Sequence, residues 1–354
     1  MNLVTKTQKK YIAPKTKSKF NNFLVCLTFP LIGLLFLIGG SVLGGKPIFS
    51  DSVLNNQLML TILSVLLACF ALNTNLNSGR MDFSLGAVGI LSCVLSWQIL
   101  PESLRASQMF PVYLILLSLV LGTVIGLFSG LVFTWLKIPA IVVSLGLCLI
   151  YEGFASILVK GEGSINMGGS IVPYYNPFMT NIWFIIAMIV IISTVMLIAL
   201  KYSKFGHDKL SILFGQKVAV DTGINEIKNA IICYGLAGAL IALYTLVDAA
   251  STTQIKITVN LGSAMSVMKN FLPIFLGGLI AKRSNEVIGL FLGIVTVSLF
   301  KTGLTRYGVN PSTISLIESI LIFVVLTYMV NWTNWVNAVK NKIHNYKLSK
   351  IERK

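Results

Sequence analysis

Long apolar runs separated by short polar segments make up most of this 354-residue chain. A helix needs about 20 apolar residues to span the hydrocarbon core of a bilayer. By that criterion the pattern predicts about ten membrane-spanning helices, with the eighth and ninth short enough to be broken or tilted. The predicted spans are 23–44, 57–75, 84–100, 111–135, 139–157, 181–200, 229–247, 266–281, 287–300 and 314–331.

Composition supports the same fold class. Charged residues are 11% of the chain and apolar residues 55%, whereas soluble domains average about 25% charged residues. We therefore predict an all-α, polytopic membrane protein with a single transmembrane domain, 23–332, between basic tails at 1–22 and 333–354. The first apolar run is too long for a cleaved signal peptide, so we interpret it as an uncleaved span.

The net charge of +16 raises the question of a nucleic-acid partner. We expect none, because the basic residues are dispersed between apolar runs and concentrated in the two tails. Alternating the sides of the predicted spans puts 21 of the 28 lysines and arginines on the side of both termini. The positive-inside rule then predicts that both termini lie in the cytoplasm.

The sequence contains few residues that could form a catalytic or cofactor-binding site. The five cysteines lie in apolar runs and both histidines lie in polar segments, so we expect no cofactor and no intramembrane metal site. The stretch GSVLGGKP, 40–47, nearly matches a phosphate-binding loop. It ends an apolar helix and has Pro47 where that loop needs Ser or Thr, so we expect no ATP hydrolysis by this chain.

Glycines recur at helical spacing in several predicted spans. Small residues let helix backbones approach closely in lipid, where packing drives association. We therefore favour helix packing over a moving hinge for these positions. The predicted packing residues are Gly122, Gly126, Gly130, Gly277, Gly278, Gly289 and Gly293.

Polar and charged residues within or beside spans are functional candidates, because burying them in lipid is costly. The stretch NTNLNSGRMDFSLGAVG, 73–89, is either part of a polar pathway or an ordinary interfacial turn. Asp82 is either functional or the ion-pair partner of Arg80, Glu152 and Lys269 could reach outer water, and Glu318 could snorkel. The candidate pathway residues are Asn73, Asn75, Asn77, Asp82, Ser84, Ser144 and Glu152.

Four segments, in order, resemble the membrane permease subunits of ribose-type ABC importers. The similarity covers about residues 56–332. The chain departs from the family pattern at Arg80, Glu152 and Lys282–Asn285. The matching residues are Gly79, Asp82, Ser84 and Gly86; Lys137, Pro139, Leu145 and Gly146 in LKIPAIVVSLGLCLIYEG; Ala219, Gly223, Ile224 and Asn225 in FGQKVAVDTGIN; and Gly277 and Gly278 in FLGGLIAKRSNEVIGLFLG.

The resemblance implies a multi-pass protein of the bacterial cytoplasmic (inner) membrane. It also implies four partners: a separate ABC ATPase, an extracytoplasmic solute-binding protein, a second permease subunit and the lipid membrane. It also implies that residues 213–223 form a short cytoplasmic helix that docks on the ATPase. Local chemistry fits that role, since Phe214 and Val218 are four residues apart and Gly223 suits a left-handed helix end. The predicted coupling residues are Phe214, Gln216, Lys217, Val218, Ala219, Asp221, Gly223, Ile224 and Asn225, the last as the cap of the next helix.

Sugars are the first substrate class implied by the resemblance, followed by nucleosides and branched-chain amino acids. Two other classes of protein stay open. A secondary transporter would use an ion gradient, with Asp82 or Glu152 as the titrating group. A membrane enzyme is disfavoured because the spans contain no clustered histidines, cysteines or paired carboxylates.

Overall fold

A computed structural model describes residues 19–45, 52–76, 78–169 and 171–351, and most of them are helical. This confirms the predicted all-α polytopic fold. Asn77, Lys46 and Pro47 lie outside the described residues. The helices are α1 (Lys19–Leu43), α2 (Ser52–Leu76), α3 (Leu85–Ile99), α4 (Phe110–Leu136), α5 (Ala140–Leu158), α6 (Tyr175–Met179), α7 (Ile182–Leu197), α8 (Lys204–Asp221), α9 (Glu226–Thr252), α10 (Gly262–Met268), α11 (Phe271–Ala281), α12 (Glu286–Tyr307) and α13 (Pro311–Ile351).

Nine helical segments in the described part of the chain are long and apolar enough to cross a membrane. The shorter apolar helix α3 brings the total to the ten predicted segments. A π-helical stretch, Ile198–Tyr202, extends α7. The eighth span is broken, as predicted, because α10 ends at Met268 and α11 begins at Phe271.

Two span ends differ from the prediction. The ninth span is neither short nor broken, because α12 runs over 22 residues to Tyr307 and stops at Gly308, whose φ is +97°. The tenth continues as α13 beyond the predicted end at 331, because no Gly or Pro interrupts the chain from 312 to 351. Apolar length alone therefore underestimated both helices.

The α4–α9 interface depends on glycine. A Cβ atom at Gly126 would lie 2.4 Å from the carbonyl oxygen of Tyr234 on α9. An added Cβ at Gly122 or Gly130 would lie 2.6 or 2.9 Å from an atom of α9, and Gly238 of α9 faces Gly122 in return. Since real Cβ atoms do not approach a carbonyl so closely, α4 and α9 can pack at this distance only through glycine.

Glycine also sets two further interfaces. Gly277 of α11 faces Gly289 and Gly293 of α12, where an added Cβ would come within 3 Å of backbone atoms. Gly278 does not share this role, because its added Cβ would meet nothing nearer than 4.0 Å; the packing prediction for Gly278 is wrong. A further close contact joins Gly40 of α1 to the backbone of Gly303 of α12. This part of the stretch that resembles a phosphate-binding loop is therefore a helix-packing contact.

The two ends of the bundle are differently built. At one end, β1 (Ser164–Asn166) pairs antiparallel with β2 (Gln254–Lys256), with Ile165 opposite Ile255. This pairing joins the segment after α5 to the segment after α9. Helix α8 lies at the other end, immediately before α9 begins.

Candidate functional site

The polar segment after α2 is anchored by Asp82. One carboxylate oxygen of Asp82 accepts hydrogen bonds from the backbone N–H (2.8 Å) and the hydroxyl (2.7 Å) of Ser84, and the other accepts from Asn75 (3.0 Å). Asp82 and Asn75 are buried. Because Asp82 binds its neighbours in this way, it fixes the start of α3. The alternative ion pair between Arg80 and Asp82 is wrong.

Little space remains beside Asp82. The cavity lined by Asn75, Asp82, Gly86 and Met268 has a volume of about 10 Å³. A single water molecule needs roughly that much room. A sugar-sized solute therefore does not fit beside the predicted pathway residues of this segment in the present structure.

Arg80 belongs to a charged cluster with α8 and α9. Its guanidinium lies 3.3 Å from the carboxylate of Glu226, in the first turn of α9, and Arg80 itself is 4% exposed. The same carboxylate oxygen accepts a 2.7 Å hydrogen bond from Gln216 of α8. This cluster ties α8 to the α2–α3 segment and to the start of α9.

A second cluster ties α8 to two spans. The ammonium of Lys209, a fully buried residue of α8, lies 3.1 Å from Glu286 in the first turn of α12. Asn73, at the end of α2, donates a 2.6 Å hydrogen bond to the same carboxylate oxygen. Sequence reasoning missed Lys209 and Glu286, because 77 residues separate them and neither has a local signature. We call the end of the bundle that holds these two clusters the α8 end.

The predicted coupling segment is a helix, but it is not the single straight helix of the prediction. Gly215 has extended backbone angles (φ −176°, ψ 85°) that break α8 between Phe214 and Val218. The i, i+4 face predicted for these two residues is therefore wrong. Their side chains are nevertheless 86% and 68% exposed, so no other part of the described chain covers these two large apolar groups at the α8 end.

The end of the coupling segment follows its local chemistry. Gly223 has φ +90°, and the side chain of Asn225 accepts a 2.9 Å hydrogen bond from the backbone N–H of Lys228, so both local predictions are confirmed. Ala219 is buried and its carbonyl accepts from the N–H of Ile224 (3.1 Å). Lys217 and Asp221 are exposed and have no ion-pair partner among the described residues.

Glu152 does not reach outer water. It is 1% exposed, and its two carboxylate oxygens accept backbone N–H groups from Leu261 (2.9 Å) and Ser263 (2.8 Å). These N–H groups belong to the start of α10, where a helix has no internal acceptors. Glu152 therefore holds the half-helix α10 in place. Ser144, one of the other pathway candidates, donates to Ile141 of its own helix.

A larger space, with polar and charged side chains in its walls, lies toward the opposite end of the spans. Two adjoining cavities of about 270 and 200 Å³ share Thr61, Lys269 and Lys301. Lys301 lies 15 residues beyond Glu286 in α12, which corresponds to about 22 Å along the helix. We call these two cavities together the polar cleft.

Charges of both signs line the polar cleft. The ammonium of Lys301 lies 2.9 Å from Glu318 of α13, and Glu318 is 4% exposed, so the expectation that it snorkels is wrong. Lys269 and Asp248 line the second cavity together with the ring of Tyr244. Sequence reasoning missed Lys301 and Asp248 as site residues. Following the helical pattern of α12 to Gly308 would have put Lys301 inside a span.

These features together define a class of protein. The described residues form ten apolar helices, and a subset of these helices lines a polar cleft toward one end. At the other end, charged clusters join the spans to the partly exposed helix α8. That arrangement is typical of a membrane transport component.

Comparison with known families identifies the component. Residues 55–327 match the family described as the permease component of the branched-chain amino acid transport system, and the chain belongs to this family. The resemblance drawn from sequence motifs is thereby confirmed. The chain is a multi-pass membrane permease, a non-catalytic component of an import system. No solved structure matches it.

Several curated proteins are similar to the chain over most of its spans. The galactose/methyl galactoside import permease protein MglC of Haemophilus influenzae is 25% identical over 294 residues, covering 78% of this chain and 86% of that protein. The autoinducer 2 import system permease protein LsrC of Photorhabdus luminescens is 29% identical over 226 residues, covering 64% and 66%. MglC of Escherichia coli is 26% identical over 264 residues, covering 69% and 76%.

Proposed function

We propose that this permease imports a small polyhydroxylated solute of sugar size, driven by a separate ATPase that docks on α8. The observation that carries the proposal is the exposed helix α8, which presents Phe214 and Val218 outward. Through Lys209 and Gln216 it is also bonded to the starts of α12 and α9. A docked subunit that moves α8 would pull on both spans. A free loop would not need either connection.

Orientation follows from charge. With 21 of 28 basic residues on the side of the termini, the α8 end faces the cytoplasm, where ATP is available. The polar cleft then lies toward the outer face. A solute-binding protein would deliver its cargo there, and a second permease subunit, identical or homologous, would complete the pathway.

The sugar assignment is supported by the relatives and by the cleft. MglC is named for galactose and methyl galactoside, which are polyhydroxylated. The second cavity of the cleft is lined by an aromatic ring, that of Tyr244, and by four hydroxyl-bearing residues, Thr61, Ser64, Ser251 and Ser266. Hydroxyl groups of a solute need such donors and acceptors once they leave water.

A branched-chain amino acid is the second candidate, favoured by the mixed charge of the cleft. Lys269 could hold a carboxylate and Asp248 an ammonium group. A nucleoside has no comparable observation in its favour. The ion-coupled alternative is weakened because the carboxylates of Asp82 and Glu152 are both engaged in buried hydrogen bonds that fix helix starts.

The test is reconstitution. The permease, its ATPase and its solute-binding protein should take up radiolabelled galactose into proteoliposomes only with ATP, and excess unlabelled leucine should not compete. Competition by leucine but not by galactosides would replace the sugar with an amino acid. Uptake by the permease alone in response to a proton or sodium gradient would overturn the importer proposal.

A further inference from the structure

A third cavity lies at the α8 end, apart from the clusters and the cleft. It has a volume of about 260 Å³ and opens between α1, α11 and α13. Phe29 of α1, Leu279 of α11 and Met329 of α13 form apolar walls. The sulfur of Cys26 of α1 lies 3.9 Å from the carbonyl oxygen of Ile280 in the last turn of α11. Helices α1 and α11 both pack on α12, and α11 also packs on α13, so neighbouring helices hold the walls of the cavity in place.

Two neighbouring cations stand at the mouth of this cavity. Lys282 and Arg283 follow the end of α11, both line the cavity and both are exposed. Among the described residues neither lies within ion-pair distance of a carboxylate, whereas Arg80, Lys209 and Lys301 are all paired. The cavity thus combines two cations that have no carboxylate partner among the described residues with walls that are partly apolar and also include the polar side chains of Thr28 and Tyr328.

The surface next to the cavity is apolar in the direction of the membrane centre. One turn further along α1, Leu31 and Ile32 are at least half exposed, and one turn earlier in α13 so are Phe323 and Val324. An inorganic anion would contact the cations and leave this surface uncovered. A molecule with an anionic head and two hydrocarbon chains would match both parts.

We propose that this cavity binds the phosphodiester head group of an anionic phospholipid, with its acyl chains along α1 and α13. Lys282 and Arg283 contact the phosphate. The apolar side chains of Phe29, Leu279 and Met329 contact the part of the acyl chains nearest the head group. The site concerns lipid binding alone and does not depend on which solute the permease carries.

Native mass spectrometry of the purified full-length permease tests the site by titration with dioleoyl phosphatidylglycerol and, separately, with dioleoyl phosphatidylcholine. We expect a bound phosphatidylglycerol that phosphatidylcholine does not replace. Each membrane-surface cation contributes about fivefold to binding an anionic lipid. Lys282→Gln with Arg283→Gln should therefore weaken phosphatidylglycerol binding about 30-fold.

Three controls separate this site from general basic charge. Lys137→Gln with Lys228→Gln removes two exposed cations from the same predicted side, outside the cavity, and should leave binding unchanged. Lys282→Arg with Arg283→Lys keeps the charge and should retain binding. Leu279→Trp keeps both cations but fills the cavity, so it should weaken binding at least as much as neutralising one cation.

Four results would overturn the proposal. They are unchanged binding in the neutralised variant, equal loss in the Lys137 and Lys228 control, competition by inorganic phosphate at millimolar concentration, and loss of the bound lipid when the ATPase complex assembles. The third result would mean that the two cations bind phosphate but that the cavity does not bind a lipid. The fourth would mean that a protein subunit covers this face.

Discussion

The contact between Glu152 and the start of α10 allows a direct test of whether this carboxylate holds α10 in place. Each carboxylate oxygen accepts one backbone N–H, from Leu261 at 2.9 Å and from Ser263 at 2.8 Å. In Glu152→Gln only the amide oxygen can accept, and the NH₂ group then faces the other N–H. One hydrogen bond to a buried charged group is lost, at a cost of about 1.5–3 kcal/mol.

That cost should appear as local opening of α10. Hydrogen exchange of the amides in 261–268 should accelerate about 10- to 150-fold, since 1.4 kcal/mol corresponds to a factor of ten. The measurement is hydrogen–deuterium exchange with mass spectrometry on the detergent-solubilised full chain. Peptides from the α4–α9 interface serve as the internal reference, because that interface is held by glycine packing and does not involve Glu152.

Glu162→Gln is the matched control, because Glu162 is exposed and makes no ion pair among the described residues. It should leave exchange in 261–268 unchanged. The reasoning fails if Glu152→Gln inserts normally and those amides exchange at the wild-type rate. It also fails if they already exchange without protection in the wild type, since Glu152 would then hold nothing in place.

Three further substitutions, two of them with a control variant, test other contacts. Gly126→Val should abolish stable accumulation in the membrane, because its Cβ would lie 2.4 Å from a carbonyl oxygen of α9. Gly146→Val is the control and should accumulate, because Gly146 has open space around it. Both are measured by immunoblot of membrane fractions. Gly223→Val should insert but lose ATPase co-purification, because φ +90° costs a β-branched residue about 1–2 kcal/mol, while Gly215→Ala should retain it. Val218→Glu should also lose the ATPase, through a stranded charge worth roughly 2–5 kcal/mol if the contact is dry; normal co-purification would remove α8 as the docking helix.

Much of the fold was predictable because membrane spans obey a local rule. Apolar length located all ten apolar segments, and the shortness of the eighth indicated that it could be broken, as it is between α10 and α11. Local chemistry also located the left-handed Gly223 and the cap at Asn225. Each of these depends on residues close in sequence.

The site was less predictable because its contacts join distant parts of the chain. Glu152 finds its partners 109 and 111 residues away, and Arg80 finds Glu226 at a separation of 146. From the sequence we expected Arg80 to form an ion pair with its neighbour Asp82, and Glu318 to extend its carboxylate into nearby water. A buried charge takes the partner that the helix packing supplies, and nothing in the local pattern distinguishes that partner.

The same three helices contribute to both ends of the molecule. Helix α12 carries Glu286 at the α8 end and Lys301 in the cleft, α9 carries Glu226 and Asp248, and α2 carries Asn73 and Thr61.

Each of these helices is continuous between its two residues, which are separated along the axis by about 22 Å in α12, 33 Å in α9 and 18 Å in α2. Because α12 and α9 are each continuous from one end of the bundle to the other, we expect a tilt imposed at the start of either helix to displace the cleft residue on the same helix. Helix α8 is joined to the start of α12 by the ion pair of the buried Lys209 with Glu286, which is costly to separate, and to the start of α9 by the hydrogen bond from Gln216 to Glu226. Movement of α8 therefore has a mechanical route to the walls of the cleft that needs no change within any of the three spans.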